Sequence, residues 1–403
     1  MVTTQLFIGR EQSRGLSPDS LQRRILESCR AMGAERLMIW NAADDEWAAV
    51  AADAAEEAGA EPWLWYPVFA DNPVLKEIDA QICVPSCDLS LLDAHGAWSG
   101  SGPDEDFIFF CPNQASTVAA LREELLRRLD QCSWRGVFLD RMRYPSPANG
   151  VEALATCFCD TCRERMEAAG ISVSAVQAAL ALLPERLKAG QGARYSGTPM
   201  DVHTALLEDL ELSDWESFRC RSLEAALDPL IEASRSRGLG VGLDLYSPSL
   251  SILVSQDYHS LGARADWIKP MTYYRAPGPA GFPVEWECLA KGMVERESEL
   301  SDSAARELAT TVTGFRPGIE NGQIGELIVK ELILGETLLN NSSLPLVPGV
   351  ELVHIPELGI DTTPETVTEI LAPVRKHTQD ISVSWSILLI PLDVARAVGE
   401  LYA

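Results

Sequence analysis

Residues 136–147 read GVFLDRMRYPSP. A glycine and three apolar residues run straight into Asp140, two arginines and Tyr144, and two prolines then stop the segment. A strand fraying into solvent would read this way. So would a buried strand that delivers a carboxylate into a pocket. The neighbouring sequence separates the two. Seven other apolar runs flank it, LFIG (6–9), LMIW (37–40), WLWYPVF (63–69), GVGLDLY (240–246), WIKPMTYY (267–274), VELVHIP (350–356) and VSWSILLIP (383–391). A helical pattern follows each run. In SPDSLQRRILESCRAMG, for example, Ser17 or Asp19 can cap a helix on which Leu21, Ile25 and Cys29 recur at helical spacing. Alternating strand–helix units predict a parallel sheet.

Eight such units over 403 residues predict a (β/α)8 TIM barrel in the α/β class, spanning 1–403 as one domain. A Cys-containing, mostly helical insertion is expected at 146–237, after strand 4. FIFF (107–110) is assigned to the excursion before strand 4 rather than to a ninth strand. The rival is a doubly wound open sheet. It is weakened because no GxGxxG or Walker-type loop follows the first strand.

A barrel carries its chemistry at the C-terminal ends of its strands, and the polar residues gather there. Strand 1 ends at Glu11, strand 2 at Trp40, strand 3 at Tyr66 and strand 4 at Asp140, Arg143 and Tyr144. Strand 5 offers Asp244 and Tyr246, strand 6 Lys269 and Tyr273, strand 7 His354 and Glu357. Strand residues alternate between faces. With Asp140 inward, Phe138 is inward and Val137 and Leu139 meet the helices. The same parity turns Asp244 and Lys269 inward. A charge on the helix-covered face would be buried without a partner, at a cost of about several kcal/mol.

Asp140, Asp244 and Glu357 are therefore the candidate catalytic carboxylates. Two carboxyls at facing strand ends suit glycosidic cleavage: one attacks or activates water, the other protonates the leaving oxygen. Trp40, Trp65, Tyr66, Tyr144, Tyr246, Tyr273 and Tyr274 are candidate sugar platforms. Glu11, Arg143, Lys269 and His354 complete the expected substrate contacts. Two other functions remain open. Lys269 is one of only six lysines and lies in an apolar strand, so it could serve a Schiff-base lyase or aldolase. A non-catalytic carbohydrate-binding barrel is the other.

GVFLDRMRYPSP, followed by CFCDTC (157–162) and later by GLDLYSPSLSILVSQDY (242–258) and ADWIKPMTYY (265–274), resembles the glycoside-hydrolase-like TIM-barrel families. Those families carry a strand-4 motif of the kind G-[apolar]-[apolar]-x-D-x-x-R-Y-P. The likeness spans Gly136 to Tyr274. It implies that Asp140 is a catalytic carboxylate and that Arg143 and Tyr144 shape a sugar subsite. Asp244 and Glu357 rest on position alone.

CFCDTC places Cys157, Cys159 and Cys162 at a turn entering a helix, within reach of one structural zinc ion. Cys111, or Cys83 and Cys87, are candidates for the remaining ligand positions. The competing reading is a set of small buried thiols. No H-x-H or H-E-x-x-H occurs, so no metal is expected in catalysis.

The net charge is −26, from 33 basic and 59 acidic residues. That excludes nucleic acid and anionic membranes as natural partners. A small-molecule or oligosaccharide substrate is expected. The start of the chain shows no basic region followed by an apolar one, so a cytoplasmic protein is expected.

Overall fold

In a computed structural model, the described residues are 1–42, 45–86, 105–183, 186, 198–296 and 300–403. Eight parallel strands close a barrel in chain order: β1 (Val2–Ile8), β2 (Arg36–Asn41), β3 (Glu61–Pro67), β4 (Gly136–Asp140), β5 (Gly240–Tyr246), β6 (Trp267–Met271), β7 (Gly349–Glu351) and β8 (Ile381–Ser384). Closure comes from β8 beside β1, with Val2, Thr3 and Thr4 opposite Ile381, Ser382 and Val383. This is the (β/α)8 fold that the alternation predicts.

Local chemistry starts each unit. Ser17 caps the helix Pro18–Met32 through a reciprocal box with Ser20. Thr363 caps Pro364–His377 by accepting from the Thr366 N–H. The helix Glu46–Ala58 buries a row of alanines, which lets it lie close to the sheet. The long helix Ser213–Arg235 leads into β5 and buries Leu223, Ala226, Leu227 and Leu230.

Two apolar layers result. Leu37, Ile39, Leu64, Val137, Leu139, Val241 and Leu243 join the large cluster under the helices. A second, tryptophan-rich cluster of Met38, Trp40, Trp63, Trp65, Phe138, Trp267 and Val347 fills the barrel. Phe138 and Trp267 stack there, with centroids 5.1 Å apart. Room for these rings comes from glycine. A Cβ on Gly242 would lie 2.5 Å from the Trp267 ring. Residues 137–140 therefore alternate as the sequence predicts.

Two excursions cover the C-terminal end. After β3 the chain continues beside β4, with the Val68 and Phe69 N–H groups donating to the carbonyls of Asp140 and Arg141. The FIFF segment returns over this path and makes only an isolated antiparallel bridge, Ile82 to Phe110. After β4 come two short 3₁₀ turns and the helices Asp160–Ala168, Val173–Ala181 and Pro199–Asp209. Glu285 stitches this excursion to the barrel. Its buried carboxylate accepts from Ser146 Oγ, the Ala148 N–H, Tyr246 Oη and the Ala280 N–H at 2.8–3.0 Å.

Candidate active site

Asp140 closes β4 at the barrel mouth and is 6% exposed. Both of its oxygens accept. Trp65 Nε1–H donates to Oδ2 at 2.9 Å and the Arg141 N–H donates to Oδ1 at 2.5 Å. The inward parity of β3 supplies Trp65, whose ring also meets Trp40 edge-on at 5.3 Å. Sequence reading places both Trp65 and Tyr66 at this rim. Tyr66 points outward, and its hydroxyl donates to the Leu121 carbonyl at 2.7 Å. Neighbours on a strand face opposite ways, so Trp65 and Tyr66 cannot both serve the mouth.

Arg141 follows with a positive φ of 55°. This turn sends its guanidinium back across the rim, 5.1 Å above Trp40 and 3.9 Å above Phe107. There it pairs with Asp71 and with Glu105 at 2.5 Å. Burial pushes the Asp71 carboxyl up, and Arg141 pulls it down. Asp71 also accepts the N–H groups of Asp106 and Phe107 at 2.6 and 3.0 Å, which fixes the returning loop.

Register brings Asp244 beside Asp140. Phe138 pairs with Gly242 and Leu139 with Leu243, so the next residues are level on adjacent strands. Lys269 on β6 donates to both Asp244 oxygens at 2.8 and 3.0 Å and to Tyr273 Oη at 2.6 Å. All three ammonium protons are thus engaged. Burial raises the Asp244 carboxyl to about 7, against the pull of Lys269 and with the push of Asp140.

Glu351 is the carboxylate that sequence reading misses. A Cβ on Gly349 would lie 2.5 Å from Lys269 Cε, so Gly349 faces the barrel interior, and Glu351 shares that face two residues on. It is buried, accepts the Arg275 N–H with Oε1, and leaves Oε2 without a partner. Burial raises it to about 7. The charges of Asp244, Asp140 and Glu351 all act on Tyr273, which sits among them. The signal was present in VELVHIP, but the more distal His354 and Glu357 drew the assignment.

Those two are not brought to the mouth. The strand ends at Glu351, and a tight turn follows, closed by the Ile355–Ile360 bridge. Glu357 lies on an exposed 3₁₀ turn. His354 is 38% exposed and faces Asp361 at 3.1 Å. The Glu11 side chain lies outside the described residues, although its helix is Arg10–Ser13.

The remaining candidates divide. Trp40 lines the barrel interior. Tyr246 turns its hydroxyl to Glu285, and Arg143 lies across its ring at 4.6 Å and across Phe109 at 4.1 Å. Arg143 also donates to the Tyr144 carbonyl at 2.9 Å, and burial lowers its pKa. Tyr144 is fully buried, away from the carboxylates, under Arg219 at 4.5 Å.

Cys111, Cys157, Cys159 and Cys162 converge. All four are buried and their sulfurs lie within 4.8 Å of one another. The spacing C-x-C-x-x-C supplies three, and Cys111, from the excursion after β3, supplies the fourth. Each sulfur also accepts an N–H: Cys157 from Val84 N at 3.3 Å, Cys111 from Asn113 N at 3.4 Å, Cys162 from Asn113 Nδ2 at 3.3 Å, and Cys159 from Gln114 Nε2 at 3.7 Å. Such a set can hold one metal ion. Cys83 is buried nearby, and burial pushes its thiol far up. Cys87 lies outside the described residues.

No family model and no curated protein matches this chain. Solved structures align with it. The glycoside hydrolase domain of PgaB (BpsB) from Bordetella bronchiseptica aligns over 100% of this chain and 98% of that one, at 9% identity and a TM-score of 0.59. Alpha-L-fucosidase isoenzyme 2 from Paenibacillus thiaminolyticus aligns over 100% and 49%, at 13% identity and a TM-score of 0.47. Bee venom hyaluronidase aligns over 95% and 90%, at 10% identity and a TM-score of 0.43. The likeness to the PgaB domain is one of fold. No helix among the described residues is long and apolar enough to cross a membrane.

Proposed function

We propose that the protein is a glycoside hydrolase acting on a small glycoside or oligosaccharide, with Asp140 and Asp244 as its working carboxylates. The observation that carries this reading is their pairing. Asp140 receives two N–H donors, which suits a carboxylate that attacks or stabilises the anomeric carbon. Asp244, raised to about 7, suits the group that protonates the leaving oxygen once one of its oxygens gives up its hydrogen bond from Lys269. Adjacent strands set their Cα atoms about 4.8 Å apart. That favours the short carboxyl separation, about 5–5.5 Å, of retaining enzymes. Asp140 then bonds to the anomeric carbon as the glycosidic C–O bond breaks and the Asp244 proton leaves with the aglycone oxygen. Water, deprotonated by Asp244, releases the sugar. Arg141, fixed over Trp40, borders the site with a positive charge.

The lysine reading is disfavoured by the three hydrogen bonds that tie Lys269 Nζ to Asp244 and Tyr273. Wild-type protein should release reducing ends from a panel of aryl glycosides and soluble polysaccharides, and Asp140→Asn and Asp244→Asn should not. Absence of turnover by the wild type, or full turnover by Asp140→Asn, overturns the assignment. A borohydride-trapped adduct at Lys269 would favour the lyase instead.

The four cysteines extend the proposal to a structural zinc ion that joins the two excursions. Tetrahedral Zn–S bonds of about 2.3 Å require sulfurs about 3.8 Å apart. Cys111 lies 3.4 Å from Cys162 and 3.6 Å from Cys159, which fits. Elemental analysis should find one zinc per chain, lost in Cys111→Ser. A metal-free wild type with four alkylatable thiols would sink this assignment.

A further inference from the structure

To act as the acid, Asp244 must carry a proton, yet Lys269 donates to both of its oxygens at 2.8 and 3.0 Å. A protonated carboxyl uses one oxygen to donate. Lys269 therefore has to leave one Asp244 oxygen before a proton can be given away. A buried lysine that does so needs another partner to turn to. The lysine side chain crosses the bare backbone of Gly349, where a Cβ would lie 2.5 Å from Cε and 3.3 Å from Cγ. It thus lies between β7 and β5, on which Asp244 is level with it. Glu351 follows Gly349 by two residues on the same inward face.

Glu351 has an oxygen to spare. Oε1 accepts the Arg275 N–H, whereas Oε2 is buried without a partner. No water-sized opening reaches that atom, so what meets it has to come from the protein. The Tyr273 hydroxyl, which accepts from Lys269 Nζ at 2.6 Å, feels the charges of Asp244 and Glu351 alike. The other groups near Glu351 are committed elsewhere. Arg275 Nη2 donates to the Asp361 carbonyl at 2.8 Å and to Thr362 Oγ1 at 3.2 Å. Asp140 is held by Trp65 and the Arg141 N–H. The Tyr274 ring stacks on Phe282 at 4.3 Å. On β8 the level residue is Ser384, which carries no charge.

We propose that Glu351 is a positioning residue, the alternate partner that draws Lys269 off Asp244 and so frees Asp244 to act as the acid. At rest, Lys269 pairs with Asp244 and Glu351 carries a proton. In the acting arrangement one Lys269 N–H bond to Asp244 breaks and one to Glu351 Oε2 forms. One proton passes from Glu351 to Asp244 as the lysine moves the other way, so the charge of the wall is unchanged. Burial raises both carboxyls to about 7, so the proton rests on either at small cost. Lysine suits the exchange, because its flexible stem carries three rotatable donors. The role in catalysis rests on the glycosidase reading. The exchange of partners does not.

Asp244→Asn imitates the uncharged acid. A crystal structure of this variant, which needs no substrate, should show Lys269 Nζ within hydrogen-bond distance of Glu351 Oε2. Nζ out of reach of Glu351 overturns the proposal. Glu351→Gln removes the charge that receives the lysine and tests the role in turnover. Its kcat on phenyl glycosides, whose leaving oxygen needs a proton, should fall about tenfold or more beyond any fall on dinitrophenyl glycosides, whose leaving group needs none. Equal losses on the two substrates are what a merely structural role gives, and they overturn the proposal. Absence of turnover by the wild type overturns the glycosidase reading instead, and the Asp244→Asn structure then decides the exchange alone.

Discussion

GVFLDRM and VELVHIP are both apolar runs that carry a carboxylate and a basic residue toward their exits. At the end of β4, Asp140, Arg141 and Arg143 are all buried and partnered. At the end of β7 the chain turns away after Glu351, and His354 and Glu357 face solvent. The two exits differ in what covers them. The β4 exit lies under the excursion from β3, whose backbone donates to the Asp140 and Arg141 carbonyls and whose Asp71 and Glu105 meet the Arg141 charge. The β7 exit turns back on itself within a few residues. A polar residue at a barrel rim becomes part of a site when another segment removes it from water and supplies its partners.

That contrast can be broken by experiment. The largest effect belongs to Asp140→Asn, expected to lower kcat by about 10³-fold or more, whereas Glu357→Gln should leave it unchanged. Comparable losses in both, measured on the substrate that the wild type turns over, would end the distinction between the exits. Lys269→Met comes next. It strips the counter-charge from Asp244 and should destabilise the fold by about 3–5 kcal/mol in denaturant unfolding. His354→Ala removes only an exposed partner of Asp361 and should stay within about 0.5 kcal/mol.

The subtler test is the pH dependence of Glu351. Its folded carboxyl is raised from 4.5 to about 7. Between these values the folded chain keeps a proton that the unfolded chain has released. The stability from this group is therefore full below 4.5 and is lost as pH rises through about 7. Glu351→Gln should flatten the decline of Tm between about pH 5 and about pH 8 by roughly 1–3 °C. An unchanged slope would mean that Glu351 does not titrate in this window.

Much of the mouth was legible because strand parity is local. The inward faces of Asp140, Phe138, Asp244 and Lys269 follow from a period of two, without any contact being known. Parity also contained the answer at β3, where Trp63 and Trp65 share the inner face and Tyr66 does not. Of the two rim aromatics read from β3, alternation admits Trp65 alone. Glu351 was obscured differently. Nothing in VELVHIP says that pairing stops after three residues, because strand ends depend on neighbouring strands.

By itself the sequence determined eight strands in order and the inward faces of Asp140, Asp244 and Lys269. Those are consequences of apolar periodicity and backbone geometry, which act over a few residues. The tertiary structure alone decided the partners: Trp65 for Asp140, Lys269 for Asp244, Asp71 and Glu105 for Arg141, and Cys111 for a cysteine turn about 50 residues downstream. Hydrogen bonds and charge pairs act over a few ångströms. Which distant groups meet at that range is set by the register of the barrel strands and by how the two excursions fold over the rim.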